Sequence, residues 1–226
     1  MAWNVELEDL FAKWKAERPA YRHFVKDGVV CEECWREVPR RILFVLKEKP
    51  DVDAIHDLRE CGGYGWAVVA RWAYGLQRAT DSTYRDFNEA DSKENRYAGL
   101  RAAALMNLKK SAGRTYSDTK EIVKYGREDA AFIKEELRII DPHVVVLCGQ
   151  GVDEGFDCAV PFKQEPAISD NCWLHDGRLF MKEWHPSYRR KARAKYDRVL
   201  QHMKAALAAI RSFGGRRSPS WFDLDV

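Results

Sequence analysis

Three segments of this 226-residue chain carry side chains of the kinds that activate water and stabilise developing charge: KEKPD at 47–51, NLKKS at 107–111 and HPSYRR at 185–190. Glu48 offers a carboxylate that can position or deprotonate a water, with Asp51 and Asp53 as substitutes. His185 can donate a hydrogen bond to an oxygen on which negative charge develops. Asn107 presents both a donor and an acceptor. Each has a plainer role: Glu48 paired with Lys47 or Lys49 across its own loop, His185 capping the helix that follows, Asn107 turning the chain at a strand end. A fourth feature, Cys31-Glu-Glu-Cys34, has metal-ligand spacing but no second pair to complete it.

The elements that must hold these segments follow from hydrophobic periodicity. Trp3, Leu7, Leu10, Phe11 and Trp14 recur at helical intervals over 3–17. Residues 42–46 form a short apolar run closed by Pro50, and 144–148 contain three consecutive valines, so both read as strands buried on two faces. A weaker strand lies at 102–106 and a further one at 178–184. Residues 54–77 are helical in parts, interrupted by glycines 62, 63 and 65. Ser117 or Asp118 caps a helix that runs to Ile140 and stops at Asp141-Pro142. Residues 188–213 carry apolar side chains at helical spacing, and a flexible tail is expected from 214 to 226. Alternating strands and helices imply an α/β fold with a mostly parallel central sheet in one domain spanning 1–213. In such sheets ligands bind beyond the carboxyl ends of the strands, where 47–51, 107–111, GQG at 149–151 and 185–190 all fall.

These segments, in this order, resemble the signature of the uracil-DNA glycosylase superfamily. RILFVLKEKP is similar to its first motif, MNLKKSAG to its second and EWHPSYRR to its third, with EELRIIDPHVVVLCG as the helix, strand and glycine between the last two. The resemblance covers about residues 31–205. It implies a three-layer α/β/α sandwich and hydrolysis of the bond between a flipped-out base and its deoxyribose. Glu48 would then serve the water and the sugar cation, and His185 the leaving base. Asn107 would read the base edge, with Tyr64 or Trp66 stacking on it unless they are simply core aromatics. Ser187 would hold a phosphate, Tyr188 or Arg189 would wedge into the vacated stack, and Arg190, Lys191 and the basic helix beyond them would add backbone affinity.

The sequence departs from that family in two places. The pattern comes nearest to the iron-sulfur type, but Ser111 and Tyr125 stand where its third and fourth cluster cysteines belong, so no cofactor is expected. Zinc on Cys31 and Cys34 stays open. Lys47 and Asp51 replace glycines of the first motif. Lys47 would reshape the base pocket toward a larger modified base, such as those of some bacteriophages, and hence toward antiviral defence.

A net charge of +3 says little about partners, but residues 178–198 carry eight Lys or Arg against two acids. That run fits either a solvated helix face or a phosphate-binding edge. With no apolar stretch of membrane length and no signal-like start, the expectation is a cytoplasmic monomer that acts on DNA without an obligate protein partner. Two other functions compete. One is a catalytically inactive glycosylase-fold module that binds DNA; the other is a nucleotide hydrolase or transferase, for which no phosphate-cradling glycine loop is present.

Overall fold

A computed structural model describes residues 2–21, 23–48, 57–60, 66–113, 117–213 and 219–222. The chain is α/β. Seven strands form one mixed sheet in the order β1-β3-β2-β4-β7-β6-β5. They are β1 (Gly28–Val29), β2 (Ile42–Leu46), β3 (Ala103–Asn107), β4 (Val144–Cys148), β5 (Ala167–Ser169), β6 (Cys172–His175) and β7 (Arg178–Glu183). The central four, β3-β2-β4-β7, are parallel, whereas β1 and the β5-β6 pair are antiparallel additions at the two edges.

Residues of β2, β3 and β4 are buried without exception, as central parallel strands require. Their alternate side chains serve two cores. Ile42, Phe44 and Leu46 face α3 (Ala67–Gln77) and α9 (Ala192–Ser212). Leu43 and Val45 face α1 (Trp3–Glu17), α6 (Thr119–Glu128), α7 (Ala130–Ile140) and α8 (Val152–Ala159). Three short helices complete the described set: α2 (Glu32–Glu37), α4 (Phe87–Ala90) and α5 (Lys93–Arg101). Among the described residues, no helix is long and apolar enough to cross a membrane.

Several expectations change in detail. The strand expected at 102–106 begins and ends one residue later, which makes Asn107 its last member. The single helix expected up to Ile140 is two helices, broken at buried Asp129, which accepts hydrogen bonds from Arg18 Nε at 2.8 Å and from the Tyr21 hydroxyl. Asp118, not Ser117, caps α6 through the Lys120 amide. The last helix starts at Ala192 rather than 188, because 186–191 run as a loop that ends in extended backbone at Lys191. The tail expected from 214 is anchored at 219–222. Trp221 is buried, stacks on His143 at 5.7 Å and donates its indole N–H to the Gly177 carbonyl at 2.8 Å.

Candidate active site at the carboxyl edge of the sheet

The register of the parallel strands carries the three polar segments to one edge. Leu46 lies beside Asn107, so Lys47 and Glu48 leave β2 next to the end of β3. Cys148 lies beside Glu183, which places Gly149 next to the run from Glu183 to His185, and the Gly149 amide bonds the Glu183 carbonyl at 2.8 Å. After β2 the chain passes to the α3 face, and after β4 to the α8 face. Such a divergence between neighbouring strands opens a crevice at their carboxyl ends. Asn107 and His185 flank that crevice on strands three spacings apart, on the order of 14 Å.

Glu48 is fixed by a residue that the sequence did not suggest. Its Oε2 accepts from Lys109 Nζ at 2.6 Å, and the two side chains are 2% and 6% exposed, so this is a buried ion pair. Lys109 also bonds Glu121 at 2.9 Å and lies 5.0 Å from the centre of the Tyr125 ring. Burial works against its charge, but Glu48 and Glu121 outweigh that and hold the ammonium above its ordinary range. The carboxylate also lies against Gly113, where a Cβ would stand 1.6 Å from Oε2. A side chain at 113 is incompatible with Glu48 in this position.

His185 sits across the crevice beside Lys47. A Cβ on Gly149, whose φ is +103°, would come within 3.1 Å of His185 Cβ and 3.2 Å of Lys47 Cε, so glycine here permits both the backbone turn and the approach. Burial, followed by the charges of Lys47 and Lys195, pushes the His185 pKa down to about 4. The ring is therefore neutral at physiological pH. The Ser187 amide donates to Nδ1 at 3.3 Å, which leaves the ring proton on Nε2, and the Ser187 hydroxyl lies 2.7 Å from the same nitrogen. Neutral His185 is thus a hydrogen-bond donor through Nε2. Lys195, from the basic run, is 5% exposed, and its ammonium donates to the carbonyls of Pro186 and Tyr188. It holds the loop in place instead of facing solvent.

Asn107 is only 2% exposed, and its side-chain Nδ2 has no hydrogen-bond partner among the described residues. Its backbone amide is held by Asp27 Oδ2 at 2.6 Å. Asp27 in turn accepts from Lys110 Nζ at 2.7 Å through both oxygens, and Lys110 reaches Glu136 at 2.8 Å. All three of these side chains are fully buried, with Phe11 and Trp14 rings 5.3 Å from the ammonium. Burial and then the Asp27 charge raise the Glu136 carboxyl well above its usual range, more than Lys110 lowers it.

The other expected site residues are distributed as follows. Ser187, Tyr188, Arg189, Arg190 and Lys191 are exposed together on the loop after β7, with the Tyr188 ring 5.5 Å from that of Trp184. Trp66 is half-buried and packs against the α3-side core. Asp51, Asp53 and Tyr64 lie outside the described residues, as does Lys49. Ser111 bridges to Phe24 just past the carboxyl end of β3, whereas Val30 bonds Ala103 at the strand's start, so Cys31 and Ser111 belong to opposite ends of β3. Among the described residues no group of three or more His, Cys, Asp or Glu side chains is arranged to hold a metal. No protein-family model matches the chain, and no curated protein matches it.

Proposed function

We propose that the protein is a DNA glycosylase that hydrolyses the N-glycosidic bond of a flipped-out uracil or modified base. The observation that carries this reading is the unpaired Asn107 amide. A buried N–H donor without a partner costs about 1–3 kcal/mol, which an acceptor on a bound base edge would offset. Along the same edge of the sheet stand two groups of the kinds that glycosidic cleavage needs. Lys109 holds Oε2 of Glu48, and the carboxylate would orient a water and face the positive charge that builds on the sugar. Neutral His185, with its proton on Nε2, donates to the carbonyl oxygen of the departing base without surrendering that proton. The exposed loop from Ser187 to Lys191 meets the DNA backbone, with Tyr188, 48% exposed, as the wedge.

Lys47 sits against Gly149 and His185 and favours a base with polar substituents beyond those of uracil, which would suit a defensive role against modified phage DNA. The test is a panel of oligonucleotides and virion DNAs carrying uracil, hypoxanthine, xanthine, hydroxymethylcytosine or glucosylated cytosine, scored for abasic sites. Product from one of these, abolished by Glu48→Gln and by His185→Ala, is the expected result. Rapid release of plain uracil with modified cytosines left intact would remove the modified-base assignment. The grip of Lys109 on Glu48 favours a second reading, a glycosylase-like module that binds DNA without cutting it. No abasic sites from any substrate, with DNA binding intact in both variants, would select that one.

A further inference from the structure

Away from the crevice, near the start of β3, Cys31 and Cys34 face each other. Cys31 is the residue that caps α2, and Cys34 follows one turn later. Their sulfurs are 2.8 Å apart, and the Cys34 amide donates to Cys31 Sγ at 3.4 Å. From the end of α5, Arg101 Nη2 reaches Cys31 Sγ at 3.0 Å, while its Nη1 bonds the Tyr97 hydroxyl at 3.0 Å. Both thiols are partly exposed, unlike Cys148 and Cys172, which are buried. Sulfurs 2.8 Å apart need to close by less than about 1 Å to reach the length of a disulfide bond.

We propose that Cys31 and Cys34 form a redox-active dithiol, with Cys31 as the attacking sulfur, Cys34 as the resolving sulfur and a low-molecular-weight disulfide such as oxidised glutathione as the oxidant. The Cys31 thiolate attacks one sulfur of that disulfide, forming a mixed disulfide and expelling one glutathione thiolate. Cys34 then loses its proton, attacks Cys31 Sγ and expels the second thiolate, and the released proton returns to glutathione. Two electrons leave the protein, and one disulfide becomes two thiols. The microenvironment is polarised for this order of attack. Burial opposes the Cys31 thiolate, but the Cys34 thiol and the Arg101 guanidinium outweigh it and hold Cys31 below the ordinary thiol range. Burial and the neighbouring Cys31 raise Cys34 above it. Glu33, 3.3 Å from Cys31 Sγ, works against the thiolate and is outweighed as well.

The whole protein, equilibrated in buffers of reduced and oxidised glutathione, acid-quenched, alkylated and mapped by peptide mass, tests this. The peptide containing both cysteines should lose two hydrogens in oxidising buffer and regain them with excess thiol. Cys34→Ser should accumulate the glutathione adduct at Cys31. Arg101→Gln should slow alkylation of Cys31 several-fold and leave exposed Cys158 unchanged. Three results would overturn the proposal: two free thiols throughout the series, no adduct in Cys34→Ser, or purified protein whose thiols hold zinc that a mercurial releases.

Discussion

Replacing Gly113 by alanine separates the position of Glu48 from its chemistry. The new methyl would stand 1.6 Å from Oε2, 2.1 Å from Cδ and 2.9 Å from Cγ of Glu48. Ordinary van der Waals contact begins near 3.4 Å, so the carboxylate must retreat by roughly 1.8 Å. Only the end of a flexible side chain has to give, and the backbone need not. The fold should therefore lose little, about 1–2 kcal/mol for a stretched Lys109 pair. Catalysis should lose far more, because a misplacement on the order of 1 Å costs about a hundredfold in rate. The assay is abasic-site formation under single-turnover conditions, with a thermal melt of the same sample. Activity within about threefold of wild type, with an unchanged melt, would refute the placement of Glu48 against Gly113 and the catalytic role that rests on it.

Three further outcomes follow from the packing. Lys110→Met strips the shared cation from Asp27 and Glu136 and should cost about 3–5 kcal/mol in urea unfolding; Lys124→Met, which breaks an exposed pair with Glu128 at 3.7 Å, should cost no more than about 0.5 kcal/mol, and equal losses would contradict the buried network. His185 and His143 both have pKa values lowered from 6.5 to about 4, so the unfolded chain takes up protons first as pH falls: their contribution is complete above 6.5 and is lost on descending toward 4, a slope that His143→Gln with His185→Gln should flatten in denaturation measured across that window. Trp221→Ala should destabilise by about 3–5 kcal/mol, whereas a tail free in solution would leave the unfolding midpoint unmoved.

What could be read in the sequence was whatever depends on neighbours along the chain. Five-residue apolar runs gave β2 and β4 to the residue, because a strand buried on both faces has no polar member to blur its ends. Strand ends then located Glu48, Asn107 and His185. The β6-β7 hairpin carries a sequence signal of its own: Asp176-Gly177, both at positive φ, the dipeptide that a tight two-residue turn favours. Ser92, which caps α5 through the Asn95 amide, is another. Lys109, Lys110 and Lys195 had none. A lysine in a polar stretch reads as solvated, and its partners here (Glu48, Asp27, Glu136 and two loop carbonyls) are brought to it only by the completed sheet. Arg101 beside Cys31 is the same kind of case, a contact between α5 and α2 that no local spacing encodes.

The order of the strands also bears on when, during synthesis, the carboxyl edge of the sheet can form. Ile42 pairs with both Ala103 and Val144, and Val144 pairs with Leu179, so each central ladder joins segments made far apart in time. Such topologies fold slowly, since distant loops must close before their contacts reward them. Glu48, Asn107 and His185 are therefore brought to one edge of the sheet only with β7 in place, so a chain still emerging from the ribosome has not yet formed that edge.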